Sequence, residues 1–273
     1  MKRRLAMNPI AEKAKQLLDN KSVDVVIGYR LSKSGNARPV FITDSSATAQ
    51  LDFNQNCTQN LAVYLTKHEV KHLGKMAIIA TIPVMRSILM LISERQLTSD
   101  QLIVIGISKD NQILDFENTE VMQNFVDKVD LRNPEKDRLL LENLSKMSLE
   151  ERFEYWEKEL SKCIKCYACR QACPLCYCNR CAVECNQPQW IPVQANPHGN
   201  FDWHILRAMH LAGRCISCGQ CGDACPVDIP CHLLTMHLVD TVHEKFGVYA
   251  GTSEKMESVL SSYKPNDKET FII

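Results

Sequence analysis

Two copies of one cysteine pattern constrain this chain more than any other feature of its sequence. Each copy reads C-x2-C-x2-C-x3-C-P, and the copies occupy residues 163–174 and 215–226. Three cysteines at this spacing can converge on one iron–sulfur cluster, while the fourth faces away and ligates a second cluster. The proline that follows has no amide hydrogen to donate, so it turns the chain away from the loop. The sequence therefore predicts two 4Fe-4S clusters.

The crossover of the fourth cysteine assigns four ligands to each predicted cluster. The first cluster takes Cys163, Cys166, Cys169 and Cys225. The second cluster takes Cys173, Cys215, Cys218 and Cys221. Structural zinc sites usually draw two cysteines from each loop, and disulfide frameworks belong to small secreted chains. Both alternatives fit the paired runs less well than iron–sulfur clusters do.

A second group of cysteines lies between the two runs. Its members are spaced C-x-C-x2-C-x3-C, at Cys176, Cys178, Cys181 and Cys185. We treat this group as a candidate third metal site, with Cys231 as a ligand from outside it. Spacing leaves three interpretations open: a third iron–sulfur cluster, a zinc ion, or packing of small polarizable side chains without a metal. Cys57 stands alone in the N-terminal half and is interpreted as structural.

The bulk composition bears on the class of partner. The 273 residues carry 32 basic and 32 acidic side chains, so no basic field points to nucleic acid. The longest apolar run, residues 76–92, contains Arg86 and is shorter than the roughly 20 residues that a membrane span needs. No apolar segment follows Met1-Lys2-Arg3-Arg4, so we expect no signal peptide. We therefore expect a cytoplasmic protein in a reducing, anaerobic setting.

Short apolar runs alternate with helical patterns in the N-terminal half. Strands are predicted over residues 23–29, 39–43, 75–81 and 102–107, and helices are predicted from Asn8-Pro9, over residues 56–66 and from Pro83. This alternation is typical of an α/β unit with a largely parallel sheet. No G-x-G-x-x-G or phosphate-binding loop follows any of these strands, so the sequence does not indicate a nucleotide site.

The chain divides by composition into four segments. We expect an α/β domain over residues 1–114, a charged helical linker over 115–160, a helical, ferredoxin-like iron–sulfur domain over 161–251 and a tail over 252–273. The predicted fold class is thus α+β / α/β, with an N-terminal α/β domain followed by a helical, ferredoxin-like iron–sulfur domain. Helix-start signals mark the linker at Asn133-Pro134 and at Ser148 with Glu151. Further helices are predicted over residues 201–213 and 227–247.

The motifs around the cysteines form a longer recognisable pattern. They are Tyr155-Trp156, the runs from Cys163 to Arg170 and from Cys215 to Cys221, Cys173-Pro-Leu-Cys176-Tyr-Cys178, Cys181, Asp223-Ala-Cys225-Pro and Asp228-Ile-Pro230. Over residues 149–251 this pattern resembles the C-terminal region of formate dehydrogenase beta subunits, in the family of deazaflavin-coenzyme-reducing hydrogenase and dehydrogenase beta subunits. Residues 24–107 resemble the family's α/β domain more weakly, through residues 23–26, 38–40 and 61–65.

The resemblance implies an electron-transfer subunit that relays single electrons and is not catalytic alone. The implied partners are a flavin or metal-pterin enzyme and an acceptor subunit, in a complex of formate dehydrogenase, hydrogenase or heterodisulfide-reductase type. The family's flavin domain opens with a glycine-rich segment that is not seen in this sequence, so we do not expect bound FAD. The alternative is a flavin-dependent oxidoreductase with its own active site in residues 20–110.

Overall fold

One mixed sheet organises the N-terminal half of the protein. The computed structural model describes residues 8–108, 110, 112–129, 134–185 and 187–260. Five strands run in the spatial order β2-β1-β3-β4-β5. They are β1 (Val25–Leu31), β2 (Ala37–Ile42), β3 (Met76–Ala80), β4 (Leu102–Ile107) and β5 (Ile113–Asp115).

The middle of the sheet is parallel and both edges are antiparallel. Strand β3 pairs in parallel with β1 and β4, whereas β2 and β5 run antiparallel to their neighbours. Central parallel strands are covered on both faces, and all five residues of β3 are buried. The four predicted strands are confirmed, but β5 was not predicted. The prediction of a largely parallel sheet holds for the three central strands only, because β2 returns beside β1 as a hairpin.

Helices account for most of the remaining regular structure in the described residues. The α-helices are α1 (Pro9–Asp19), α2 (His68–Lys71), α3 (Ile82–Ser93), α4 (Thr119–Val126), α5 (Glu135–Lys146), α6 (Leu149–Ser161), α7 (Ala168–Gln171), α8 (Pro197–His210), α9 (Gln220–Asp223) and α10 (Cys231–Phe246). Short 3-10 helices occupy Ser45–Gln50, Leu61–Tyr64 and Ser99–Gln101. None of these helices has the length and apolar character to cross a membrane.

Side-chain caps explain where two of the predicted helices begin. The Asn8 side chain accepts a hydrogen bond from the Ala11 amide at 2.8 Å, and Pro9 takes the first position of α1. Ser148 and Glu151 form the predicted capping box at the start of α6. The signal at residue 133 lies outside the described residues, and α5 is seen from Glu135 onward.

The helix predicted over residues 56–66 is wrong. This segment holds only the 3-10 helix Leu61–Tyr64. The Asn60 side chain accepts a hydrogen bond from the Ala62 amide at 3.1 Å and donates to the Ser87 hydroxyl at 2.9 Å. A short polar side chain that binds nearby backbone competes with helix formation, and the contact with α3 stabilises that alternative here.

Helix α8 begins earlier than the sequence predicts. It starts at Pro197, within a stretch expected to be a loop, rather than at Phe201. The Asn196 side chain accepts a hydrogen bond from the Gly199 amide at 2.9 Å, so Asn196-Pro197 is a cap followed by a first-turn proline. The same signal starts α1.

The apolar core of the sheet continues into the cysteine-rich region. Leu175, Leu211, Ile216 and Ala250 are buried in the same hydrophobic cluster as the central strands. A second buried cluster joins α6, α8 and α10 and includes Trp156. Cysteines of both runs pack against one or the other of these clusters, so the two runs lie between them.

A buried arginine connects α3 to the second cysteine run. Arg86 donates from Nη1 to the Ile216 carbonyl and from Nη2 to the Ala250 carbonyl, both at 2.8 Å. Burial lowers the pKa of Arg86 to about 10, and negative charge on Cys215 or Cys218 acts in the opposite direction. The guanidinium therefore stays charged at neutral pH and lies beside the second run.

Replacement of this arginine tests the connection. In Arg86→Met the Ile216 and Ala250 carbonyls would stay buried without their donor, at a cost of about 2 to 4 kcal/mol of folding free energy. The melting temperature, followed anaerobically by circular dichroism, is expected to fall by about 5 to 15 °C. The control Arg38→Met makes the same substitution at an exposed position of β2 and should shift the melting temperature by no more than about 2 °C. An unchanged melting temperature in Arg86→Met would contradict this role.

Candidate metal centres

The two cysteine runs fold into loops with the same backbone conformation. Lys165 and Tyr167 in the first run have φ of 52° and 60°, and Ser217 and Gly219 at the equivalent positions have φ of 58° and 74°. A left-handed backbone is uncommon for residues other than glycine and marks a local constraint. A short helical turn follows in each loop, α7 in the first and α9 in the second. The repeated sequence is therefore also a repeated structure.

The left-handed residues direct backbone amides toward cysteine sulfurs. The Lys165 amide donates to Cys163 Sγ at 3.3 Å, and the Ser217 amide donates to Cys215 Sγ at 3.4 Å. Hydrogen bonds of this kind favour the charged form of the acceptor, which for cysteine is the thiolate that binds metals. Both loops therefore present their first cysteine as a candidate metal ligand in the same way.

The first cavity gathers cysteines from both runs. It is lined by Cys163, Cys166, Cys169 and Cys225, the set that the crossover rule assigns to the first cluster. Much of the remaining wall is apolar or aromatic, from Ile164, Tyr167, Trp203, Val227 and Ile229. Cys166 is exposed, so this cavity lies close to the protein surface.

The second cavity has the reciprocal composition. It is lined by Cys173, Cys215, Cys218 and Cys221, the set assigned to the second cluster. Burial raises the pKa of Cys218 to about 12 and also raises that of Cys215. These thiols therefore become thiolates at neutral pH only where a cation or metal stabilises the charge.

Several buried polar atoms in the cavity walls have no hydrogen-bond partner within the described protein. Trp203 Nε1 and His204 Nε2 belong to residues that line the first cavity, and Arg207 Nε and Ser217 Oγ to residues that line the second. Buried polar groups are nearly always hydrogen-bonded, so these atoms indicate an acceptor that is not part of the chain. The sulfur atoms of an iron–sulfur cluster accept hydrogen bonds, so this donor set fits such a group.

The cysteines surround a space rather than a single point. Across the described residues, no three His, Cys, Asp or Glu side chains come close enough together to hold one metal ion. Ligands of a single zinc ion must all lie within about 2.3 Å of it, whereas the ligands of a cube bind four different irons.

Cys231 connects the two cavities from outside both runs. It lies at the start of α10, is buried and lines the first cavity. Its thiol donates to the Cys221 carbonyl at 3.3 Å. Hydrogen bonding from Cys231 lowers the pKa of the Cys169 thiol in the first cavity and of the Cys221 thiol in the second. One thiol thus contacts a cysteine of each predicted ligand set.

Arg207 of α8 supplies a buried positive charge between the cavities. Its Nη2 donates to the Cys169 carbonyl at 3.1 Å. Burial lowers the pKa of Arg207, but negative charge on Cys176 and Cys221 outweighs burial and raises it, so the guanidinium stays charged. Neither Arg207 nor Arg86 was predicted from the sequence as a residue of the site. An arginine on the apolar face of a helix can indicate such a buried charge. Arg207 follows Trp203 by four positions, so both lie on the same face of α8.

Among the equivalent positions at which the two loops carry different residues, 170 and 222 have the most different surroundings. Arg170 in the first loop forms a salt bridge of 2.9 Å with Glu184. Gly222 takes its place in the second loop and packs against His232 so closely that a Cβ would lie 2.1 Å from the ring Nδ1. His232 Nε2 is in turn 3.3 Å from Asp137 Oδ1. Each loop is therefore held by different neighbours.

The second cysteine group is only partly brought together. Cys176, Cys178 and Cys181 line a third cavity beside α8. Cys185 is exposed and is not part of its wall, although its amide donates to the Cys181 carbonyl at 2.8 Å. Cys231 belongs to the first cavity instead. The five cysteines named as a candidate third site thus separate into three that share a cavity and two that do not.

Two strand glycines in residues 20–110, Gly28 of β1 and Gly106 of β4, are explained by close packing. A Cβ at Gly28 would lie 2.6 Å from side-chain atoms of Ile79 and Leu51. A Cβ at Gly106 would lie 2.5 Å from the Phe116 ring. Side chains of the core thus occupy the space beside these glycines.

The similarity to two known proteins covers part of the chain. No protein-family model matches it. A stretch of 126 residues, 45% of the chain, is 34% identical to the F420-dependent formate dehydrogenase subunit beta of Methanocaldococcus jannaschii and covers 32% of that protein. A stretch of 120 residues, 43% of the chain, is 30% identical to the F420-dependent formate dehydrogenase 1 subunit beta of Methanococcus maripaludis and covers 30% of it. Over a minor part of their length, this chain is therefore similar to beta subunits of F420-dependent formate dehydrogenases.

Proposed function

We propose that this chain is an iron–sulfur electron-transfer subunit that relays single electrons between a flavin or metal-pterin enzyme and an acceptor subunit. One observation carries the proposal: two cavities each gather three cysteines from one run and the fourth from the other. Cys163, Cys166, Cys169 and Cys225 would hold one 4Fe-4S cluster, and Cys173, Cys215, Cys218 and Cys221 would hold another. Such clusters, when bound, supply one-electron chemistry over a range of roughly −700 to +450 mV.

The chain's own residues would set the reduction potentials of the bound clusters. The Lys165 and Ser217 amides donate to cysteine sulfurs. Arg86 and Arg207 bring buried positive charge to the same region. Hydrogen bonds and positive charge stabilise the more negative, reduced state, and apolar walls strengthen both effects by lowering the local dielectric constant.

The two cavities differ in the access that they offer to a redox partner. Cys166 of the first cavity is exposed, and the neighbouring Ile164 is 58% exposed. Cys215 and Cys218 of the second cavity pack against the hydrophobic cluster of the sheet. We therefore assign electron exchange with a partner to the surface around Cys166, and the inner position to the second cavity.

The relatives support the class of complex in which this exchange would occur. Both are named as beta subunits of F420-dependent formate dehydrogenases. This chain would accordingly be a subunit of an oxidoreductase complex of formate dehydrogenase type, or of the hydrogenase or heterodisulfide-reductase type that the sequence resemblance also implies. Their coenzyme and their substrate are not carried over, because the match covers 32% and 30% of their lengths.

Removal of one proposed ligand tests the role of the paired runs. Cys218→Ser replaces a thiol with a weaker iron ligand in the second cavity. We expect anaerobically purified protein to lose about four irons per chain, together with the matching acid-labile sulfide. The far-ultraviolet circular dichroism of the sheet should be retained, because β1 to β5 form without this side chain.

The matched control is Cys57→Ala, which removes a buried cysteine outside the three cavities. It should keep the wild-type content of iron and sulfide. A Cys218→Ser protein with unchanged iron content and an unchanged EPR spectrum after dithionite reduction would refute the proposed ligand set.

The position of Cys231 yields a prediction about reduction potential. Cys231→Ala removes a hydrogen-bond donor to Cys169 and Cys221, so the reduced states should lose stabilisation and the potentials should become more negative. The shift should be at most about 60 mV, the one-electron equivalent of about 1.4 kcal/mol. An EPR-monitored redox titration measures it. Cys231→Ser keeps a donor and should restore most of the potential, whereas identical potentials in all three proteins would argue against this role.

A further inference from the structure

We propose that Cys176, Cys178 and Cys181 bind a third iron–sulfur cluster in the cavity beside α8. The proposed function needs two clusters only, so this inference goes beyond it. The three cysteines line a cavity distinct from those of the two runs. Its volume is about 50 Å³, compared with about 20 Å³ for each of the first and second cavities. The third cavity thus offers at least as much room as each of the other two.

The segment that carries these cysteines is held in place by arginine side chains. It has no regular helix or strand, but arginines fix its backbone from both sides. Arg170 donates from Nη2 to the Cys178 carbonyl at 2.6 Å and forms a salt bridge of 2.9 Å with Glu184. Arg214 donates to the Leu175 carbonyl at 3.4 Å. The chain therefore presents the three thiols from a fixed backbone, which favours binding of a group of defined shape.

The wall of this cavity favours negative charge. Arg170, Arg207 and Arg214 all line it. Glu184 neutralises Arg170 and Glu94 neutralises Arg214, whereas Arg207 forms no salt bridge with any carboxylate in the part of the chain that the structure describes. A cluster held by thiolates is anionic and would compensate the buried charge of Arg207.

Two further features of the wall fit a cluster. Trp203 Nε1 is buried without a partner in the described structure, and its residue lines this cavity as well as the first. Four side chains in the wall can bind a metal, namely the three cysteines and His210. Histidine replaces cysteine as a ligand in some iron–sulfur centres. His210 is therefore assigned as the fourth ligand in place of Cys185, which is not in the wall.

Metal content tests this assignment without any assay of activity. Iron, zinc and acid-labile sulfide are measured per chain on the anaerobically purified full chain. Two clusters account for about eight irons and three clusters for about twelve. The double variant Cys178→Ser/Cys181→Ser is expected to lose about four irons and as many sulfides relative to the wild type.

Cys185→Ser is the matched control, because Cys185 belongs to the same segment but does not line the cavity. It should keep the full metal content. Equal iron and sulfide in the double variant and the wild type, or a loss of zinc instead of iron, would overturn the third cluster. If the double variant does not accumulate, the wild-type count decides, with about twelve irons in support and about eight against. A wild type without iron would overturn the proposed function itself.

Discussion

The cysteine region depends on a crossing between two loops. Each run contributes three cysteines to its own cavity and one, Cys173 or Cys225, to the other. Neither cavity has all four of its cysteines unless both loops are folded. The segment between the loops, residues 174–214, must therefore bring the second loop back beside the first. Helix α8 makes that return and also supplies walls to the cavities. Formation of one cavity is therefore linked to formation of the other.

Two buried arginines reach the cysteine region from different helices. Arg86 comes from α3 and donates to the Ile216 and Ala250 carbonyls, and Arg207 comes from α8 and donates to the Cys169 carbonyl. A buried charge destabilises a protein unless hydrogen bonds and an opposite charge compensate it. Carbonyls provide the hydrogen bonds, while the cysteines that face the guanidinium groups provide the opposite charge once they are thiolates. Folding and thiolate formation thus stabilise each other in this region.

Features that depend on residues close in sequence could be predicted. Predictions failed where contacts between residues distant in sequence determine the local structure. Strand β3 was predictable because an unbroken apolar run suits a central strand. The grouping of cysteines followed from a spacing rule, because both loops keep the same spacing. The helix over residues 56–66 failed because Asn60 binds Ser87, and no local pattern reports that contact. The left-handed conformation of Lys165 and Tyr167 was also hidden, since neither residue is a glycine.

The duplicated loops are no longer interchangeable. An arginine transplanted to the position of Gly222 would collide with the His232 ring, and a glycine at Arg170 would leave Glu184 without its salt bridge. The two copies have kept a common backbone while acquiring separate neighbours, which commits each copy to one place in the molecule. Recombination between the repeats would therefore be harmful, and substitutions in one copy can accumulate without being mirrored in the other.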